Sequence, residues 1–165
     1  MEKQIILLNG PSSSGKSTLS KNLQNLLKEK FDLQYYIVSI DDFMKLATDE
    51  TIYEDDVYEI SSDMNNKALE VIESYDGVII DHVITSERIF NELISALSLF
   101  PVFKVHTKCP LDVLIKREIE RNNRCIGSAE SSYTYLYPKD NYDFTVNTHL
   151  DTSANCAIKI LENLF

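Results

Sequence analysis

The chain has 165 residues, 44% hydrophobic and 25% charged, proportions that suit one soluble globular domain with a buried core. A formal net charge of −10 argues against a nucleic-acid binder, which needs a basic face, so any anionic ligand must meet a local positive pocket. No apolar run reaches the roughly 18 residues of a membrane span. Cys109, Cys125 and Cys156 match neither a disulfide framework nor a zinc site, and together these features point to the cytoplasm.

In chain order, strand-like and helix-like stretches alternate. Gln4–Asn9 (QIILLN) is a short aliphatic strand, and the helix that follows, about Lys16–Lys30, carries Leu19, Leu23, Leu26 and Leu27 at helical spacing. Gln34–Ile40 is the second strand. A helix is expected from about Phe43, then the acidic run Asp49–Asp56 as a solvated loop or lid, then a helix over Val57–Ser74. Gly77–Asp81 is the third strand, Ser86–Ser98 a helix, Val102–Thr107 the fourth strand and Leu111–Asn122 a helix. A short lid is expected around 122–130. The alternation of Tyr133, Tyr135 and Tyr137 reads as an extended segment with one aromatic face. Phe144–Asn147 is the fifth strand and Ser153–Leu164 the closing helix. Continuous apolar strands, each followed by a helix, predict a single α/β domain: a three-layer sandwich around a five-stranded parallel sheet.

Gly10-Pro11-Ser12-Ser13-Ser14-Gly15-Lys16-Ser17 fits the G-x-x-x-x-G-K-[ST] phosphate loop without a mismatch, between a strand and a helix. Phosphate oxygens must come close to backbone N–H groups, so glycine stands where a Cβ would obstruct or where φ is positive. The helix N-terminus adds unpaired N–H groups and a favourable dipole. The motif predicts a nucleotide-kinase-like P-loop architecture that binds ATP with magnesium. Gly10, Ser12, Ser13, Ser14, Gly15, Lys16, Ser17 and Thr18 are the expected nucleotide-binding residues. Lys16 would hold the β and γ phosphates, and the Ser17 hydroxyl would hold the metal.

Ligands of open α/β sheets bind beyond the carboxyl ends of the strands. Asp81 closes the apolar strand GVIID there and is expected to support magnesium beside Ser17. Asp41 and Asp42 follow the second strand. One of the pair can accept the proton of an acceptor hydroxyl, while the other caps the helix near Phe43. Arg117, Arg121 and Arg124 stand at i, i+4 and i+7, so a continuing helix would set them on one face to meet phosphate charge. A solvated helix face explains the same spacing. His82, His106 and His149 lack metal-ligand spacing and read as structural or solvated.

With these residues in place, the chain resembles the chloramphenicol phosphotransferase-like family of small P-loop kinases. The likeness runs in order from ILLNGPSSSGKST through SIDDF and GVIIDH to the helix after CP, then to YDFTVNT. It implies an ATP-dependent O-phosphotransferase acting on a hydroxyl of a small molecule, with antibiotics among the acceptors. By position it implies Lys16 and Ser17 in the nucleotide site, Asp41 as general base, Asp81 at the third strand, and Arg121 and Arg124 in an arginine-bearing lid. The chain departs from the family pattern at Asp42 and over Phe43–Asn66, where the acceptor pocket should form.

Kinases of nucleosides, nucleotides or sugar-like metabolites are the alternative on the same scaffold, and a regulatory P-loop module is the alternative of another class. A GTPase expects Asp-x-x-Gly after the third strand and Asn/Thr-Lys-x-Asp after the fourth. Here Asp81 is followed by His82-Val83-Ile84, and Thr107-Lys108-Cys109 leads to Pro110, so both expectations fail.

Overall fold

The computed structural model describes residues 1–44, 53–123 and 125–165. In chain order it contains β1 (Gln4–Asn9), α1 (Lys16–Phe31), β2 (Tyr35–Ser39), α2 (Ile40–Phe43), α3 (Glu54–Val71) and β3 (Gly77–His82). There follow α4 (Glu87–Ala96), β4 (Val102–Lys108), α5 (Leu111–Arg121), α6 (Ser128–Tyr135), β5 (Phe144–Asn147) and α7 (Ser153–Leu164). The five strands form one parallel sheet in the order β2-β3-β1-β4-β5.

Two apolar layers sandwich that sheet. Alternate residues of β1 point to opposite faces, as the pleat requires. Ile5 and Leu7 join Met64, Ala68 and Leu93 beneath α3 and α4, while Ile6 and Leu8 join Leu19, Leu23 and Ile160 beneath α1 and α7. Every residue from Ile5 to Leu8 is fully buried, which explains why β1 shows an unbroken aliphatic run rather than an alternation. No helix among the described residues is long and apolar enough to cross a membrane.

The structure revises two expectations. The helix expected over Val57–Ser74 starts earlier: Glu54, Asp55 and Asp56 form the first turn of α3, where acidic side chains complement the helix dipole. The Asp56 carboxylate accepts the Tyr53 backbone N–H at 3.4 Å. The acidic run is therefore partly helical, and its earlier part lies outside the described residues. The tyrosine segment is not extended, because Tyr133 and Tyr135 belong to α6 and are exposed. Ala129, Ser132 and Leu136 are the positions that pack inward there, at helical spacing. The helix expected over Leu111–Asn122 is α5, which ends at Arg121 with Asn122 in the left-handed region at φ 50°, and Arg124 lies outside the described residues.

Candidate active site

A cavity of about 1160 Å³ opens over the carboxyl ends of the strands. The phosphate loop forms its floor, between β1 and α1. Each glycine of the motif has its own cause. A Cβ on Gly10 would lie 1.9 Å from Thr107 Oγ1, so β4 passes too close for any side chain. Gly15 sits at φ 87°, where L side chains are strained. Lys16 is 5% exposed and curls back over the loop, its Nζ donating to Pro11 O at 2.9 Å and to Ser14 Oγ at 3.2 Å. The first turn of α1 contains no acidic residue of its own, in contrast with α3.

Parallel register aligns Ser39 of β2, Asp81 of β3 and Leu8 of β1 across the sheet. Asp81 is 3% exposed, and its Oδ2 accepts hydrogen bonds from Ser17 Oγ at 3.1 Å and Ser39 Oγ at 3.0 Å. Ser39 also caps α2, accepting the Asp41 N–H at 3.3 Å. This one serine therefore sets the positions of both acids, and Ser39 rather than Asp42 is the helix cap. Asp41 is half-buried and lines the cavity, whereas Asp42 is exposed and does not.

Two arginines, Arg117 and Arg121, line the cavity from α5; Arg124 lies outside the described residues. Arg117 reaches across to the phosphate loop and the β5–α7 turn, donating to Ser13 O at 3.4 Å and Thr148 O at 3.0 Å. Thr18 is exposed at the mouth of the same cavity.

Several residues that shape the site carry no sequence motif. Glu118 is 2% exposed and accepts the N–H groups of Gly127 at 3.2 Å and Ala129 at 2.8 Å, so α5 caps α6. In turn Ser132 of α6 accepts the Ser12 N–H at 2.9 Å, which docks α6 on the phosphate loop. Asn9 binds Ile84 N–H, Tyr137 O and Tyr142 OH, each at 2.9 Å, and so ties the loop's base to the exit of β3 and to the segment after α6. Long-range contacts of this kind leave no local periodicity to detect.

On the side facing α2 and α3 the wall is formed by Ile40, Asp41, Met44, Glu54, Val57 and Val83. Arg88 of α4 fixes Glu54 through its Nε at 3.0 Å and through Nη2, and its guanidinium lies 4.2 Å from the Tyr58 ring centre. Behind this wall, His82 Nδ1 accepts the Val83 N–H at 2.8 Å, which leaves the ring proton on Nε2 to meet Ser61 Oγ at 2.9 Å. Burial, with Lys16 nearby, holds that imidazole down at about 3, so it is a neutral structural link between α3 and β3. His106 stacks on Tyr142 at 4.7 Å and is also pushed below its ordinary value, chiefly by burial. Among the described residues no cluster of His, Cys, Asp and Glu could hold a metal by itself. The adjacent Ser17 hydroxyl and Asp81 carboxylate are hard oxygen donors of the kind magnesium accepts when phosphate oxygens complete its shell.

Comparison with known proteins agrees with this geometry. The APS kinase of Mycobacterium tuberculosis, solved in complex with AMPPNP and APS, superposes with a TM-score of 0.81 at 17% identity, over 99% of this chain and 98% of that one. A gluconokinase from Sinorhizobium meliloti gives 0.73 at 15% identity, over 98% and 91% of the two chains. Shikimate kinase from Acinetobacter baumannii, in complex with shikimate, gives 0.67 at 18% identity, over 98% and 93%. At these identities the likeness is one of fold. No curated protein matches the chain in sequence. The family model for chloramphenicol phosphotransferase-like proteins matches residues 3–165. The chain therefore belongs to the chloramphenicol phosphotransferase-like family, and is a phosphotransferase of the ATP-using, small-molecule P-loop kinases.

Proposed function

We propose that the protein transfers the γ-phosphoryl group of magnesium-bound ATP to a hydroxyl of a small molecule. The observation that carries this reading is the pairing, in one cavity, of a phosphate loop with a carboxylate on the opposite wall, Asp41. On the nucleotide side, the loop amides, Lys16 and the N-terminus of α1 would cradle the phosphates, with Gly10 and Gly15 allowing the close approach. Ser17 and Asp81 would hold magnesium, which neutralises phosphate charge when bound. Arg117, anchored between Ser13 and Thr148, would contact the nucleotide.

On the acceptor side, Asp41 accepts the hydroxyl proton and orients the oxygen toward the phosphoryl group. Arg121 meets the charge that spreads over the transferred group. The segment around 122–130, which brings Asn123, Cys125 and Ile126 to the cavity wall, acts as the lid that excludes water.

The described acceptor wall combines Ile40, Met44, Val57 and Val83 with the carboxylates of Asp41 and Glu54. That mixture supports a hydroxylated acceptor with an apolar portion and no strongly anionic group, since an anion would face two carboxylates. A ³¹P NMR screen with ATP, magnesium and a panel of hydroxylated antibiotics, nucleosides and sugars tests the reading, with Lys16→Ala as blank. A phosphorylated product formed only by the intact protein supports it. ADP release with no phosphorylated product across the panel, and with added acceptor never accelerating hydrolysis, counts against it.

A further inference from the structure

Of the six residues that form the wall facing α2 and α3, Ile40, Met44, Val57 and Val83 are apolar, while Asp41 and Glu54 are carboxylates. The transfer reaction proposed above gives Asp41 the proton of the phosphorylated hydroxyl and leaves Glu54 without a task. Glu54 lies in Phe43–Asn66, where the chain departs from the family pattern, so family likeness supplies no role for it.

Its carboxylate is held in place before any ligand arrives. Glu54 is the first residue of α3, and the donors that fix it come from the start of α4. Oε1 accepts from Ser86 Oγ at 2.9 Å and from Arg88 Nε at 3.0 Å, and Oε2 accepts from Arg88 Nη2. Arg88 is itself placed by the Tyr58 ring, whose centre lies 4.2 Å away, and by Asp55 Oδ1 at 2.7 Å. A carboxylate offers about four lone-pair positions. Among the described residues three of them are filled, and the remaining one is on Oε2. The side chain is 44% exposed and lines the cavity, so a ligand can reach it.

Arg88 has already restricted the rotamers of this side chain, so a further hydrogen bond orders little that is not ordered. Ionised, the group accepts hydrogen bonds and donates none. One cation, Arg88, serves both Glu54 and Asp55, so the cluster stays net negative. Val57 stands three residues along α3, on the same helix face, and sets an apolar surface beside the carboxylate.

We propose that Glu54 determines acceptor specificity: its Oε2 receives a hydrogen bond from a second donor group of the acceptor, a hydroxyl or an amine. This rests on the phosphotransfer reading above. The acceptor class is then a diol or amino alcohol with an apolar portion. One hydroxyl meets Asp41, the apolar portion lies along Met44 and Val57, and the second donor meets Glu54.

The test measures initial rates with magnesium and ATP on three probes of one skeleton. The first is a phenylpropanol with a terminal hydroxyl; the others add a hydroxyl or an amine on its benzylic carbon. The expected kcat/KM is about tenfold or more higher on the two bifunctional probes than on the mono-alcohol, a ratio that falls to within about twofold in Glu54→Ala. The ratio decides, because a variant that merely loosens the fold lowers all three rates alike. Glu54→Gln keeps the side chain's volume and repeats the measurement where Glu54→Ala folds poorly; loss of charge should weaken the preference for the amine most. A larger gain for the amine assigns an ammonium as the donor and an equal gain a hydroxyl, and either supports the proposal. Equal rates on all three probes overturn it, as does an unchanged ratio in both variants. No product from any of the three overturns it too, whereas product from another member of the wider panel leaves the transfer reaction standing.

Discussion

The two sides of the cavity are built in different ways. The nucleotide side is one short stretch, Gly10–Thr18, whose chemistry lies in backbone amides, one lysine and the start of one helix. The proposed acceptor side is assembled from side chains of α2, α3 and the residue after β3, Val83, distant in sequence and fixed by contacts such as Arg88 with Glu54 and His82 with Ser61. A phosphate group is the same in every ATP, so a local backbone geometry suffices to recognise it. Acceptors differ, and a wall made of scattered side chains can change without disturbing the loop. This difference explains how chains of similar fold, solved as APS, gluconate and shikimate kinases, retain the architecture at 15–18% identity to this one.

The largest expected effect tests the nucleotide side. Lys16→Ala removes the charge beside the phosphates and also a donor to Pro11 O and Ser14 Oγ. Phosphoryl transfer should fall by about 10³-fold or more, measured as product formation at saturating ATP. Retention of a tenth of the activity would show that the loop amides suffice alone.

A smaller effect is expected at the proposed metal position. Asp81→Asn leaves a side chain that can still face Ser17 and Ser39 but removes the negative charge. The magnesium concentration for half-maximal activity should rise roughly 10- to 100-fold, while an unchanged magnesium requirement would move the metal elsewhere.

Glu118 tests whether α6 supports the loop from behind. Glu118→Ala strands the N–H groups of Gly127 and Ala129 and should destabilise the protein by about 1–3 kcal/mol in urea unfolding. Because Ser132 holds Ser12, ATP affinity should weaken only slightly alongside. Full stability in the variant would mean that α6 needs no cap from α5.

The acid limb of stability sharpens the description of the acceptor wall. The His82 imidazole has an ordinary value of 6.5 and is held near 3 in the folded protein, first by burial and then by Lys16. Below 6.5 the unfolded chain takes up a proton that the folded protein refuses until near 3. Stability from this group is therefore complete above 6.5 and is lost as pH falls through that window, with a limiting slope of about 1.4 kcal/mol per pH unit. His106 adds in the same direction. His82→Gln should flatten the slope by up to one proton; an unchanged slope would show that His82 is not held neutral.

The same contrast governs what could be read from the sequence. The strands and the phosphate loop were legible because aliphatic runs and the glycine spacing are local signals, and Asp81 was legible as the acid that ends an apolar strand. The helix α6 was not. Its sequence SAESSYTY is weakly amphipathic, and the conspicuous tyrosines at 133 and 135 are its exposed residues. Its N-terminus is capped by the Glu118 carboxylate, delivered from another element. Ser39 escaped notice for a similar reason: its role joins a helix cap to an acid on the neighbouring strand, a relation set by sheet register.

The claim that the two sides meet over one transferred group turns on Asp41. Once an acceptor has been found, the most direct measurement is phosphorylated product formed by Asp41→Asn, with ATP affinity titrated in parallel. The account predicts turnover lowered by about 10²-fold or more with ATP affinity within about twofold of wild type, since the carboxylate serves the acceptor and not the nucleotide. Turnover at the wild-type rate would contradict the account, and would leave the acceptor side without its base.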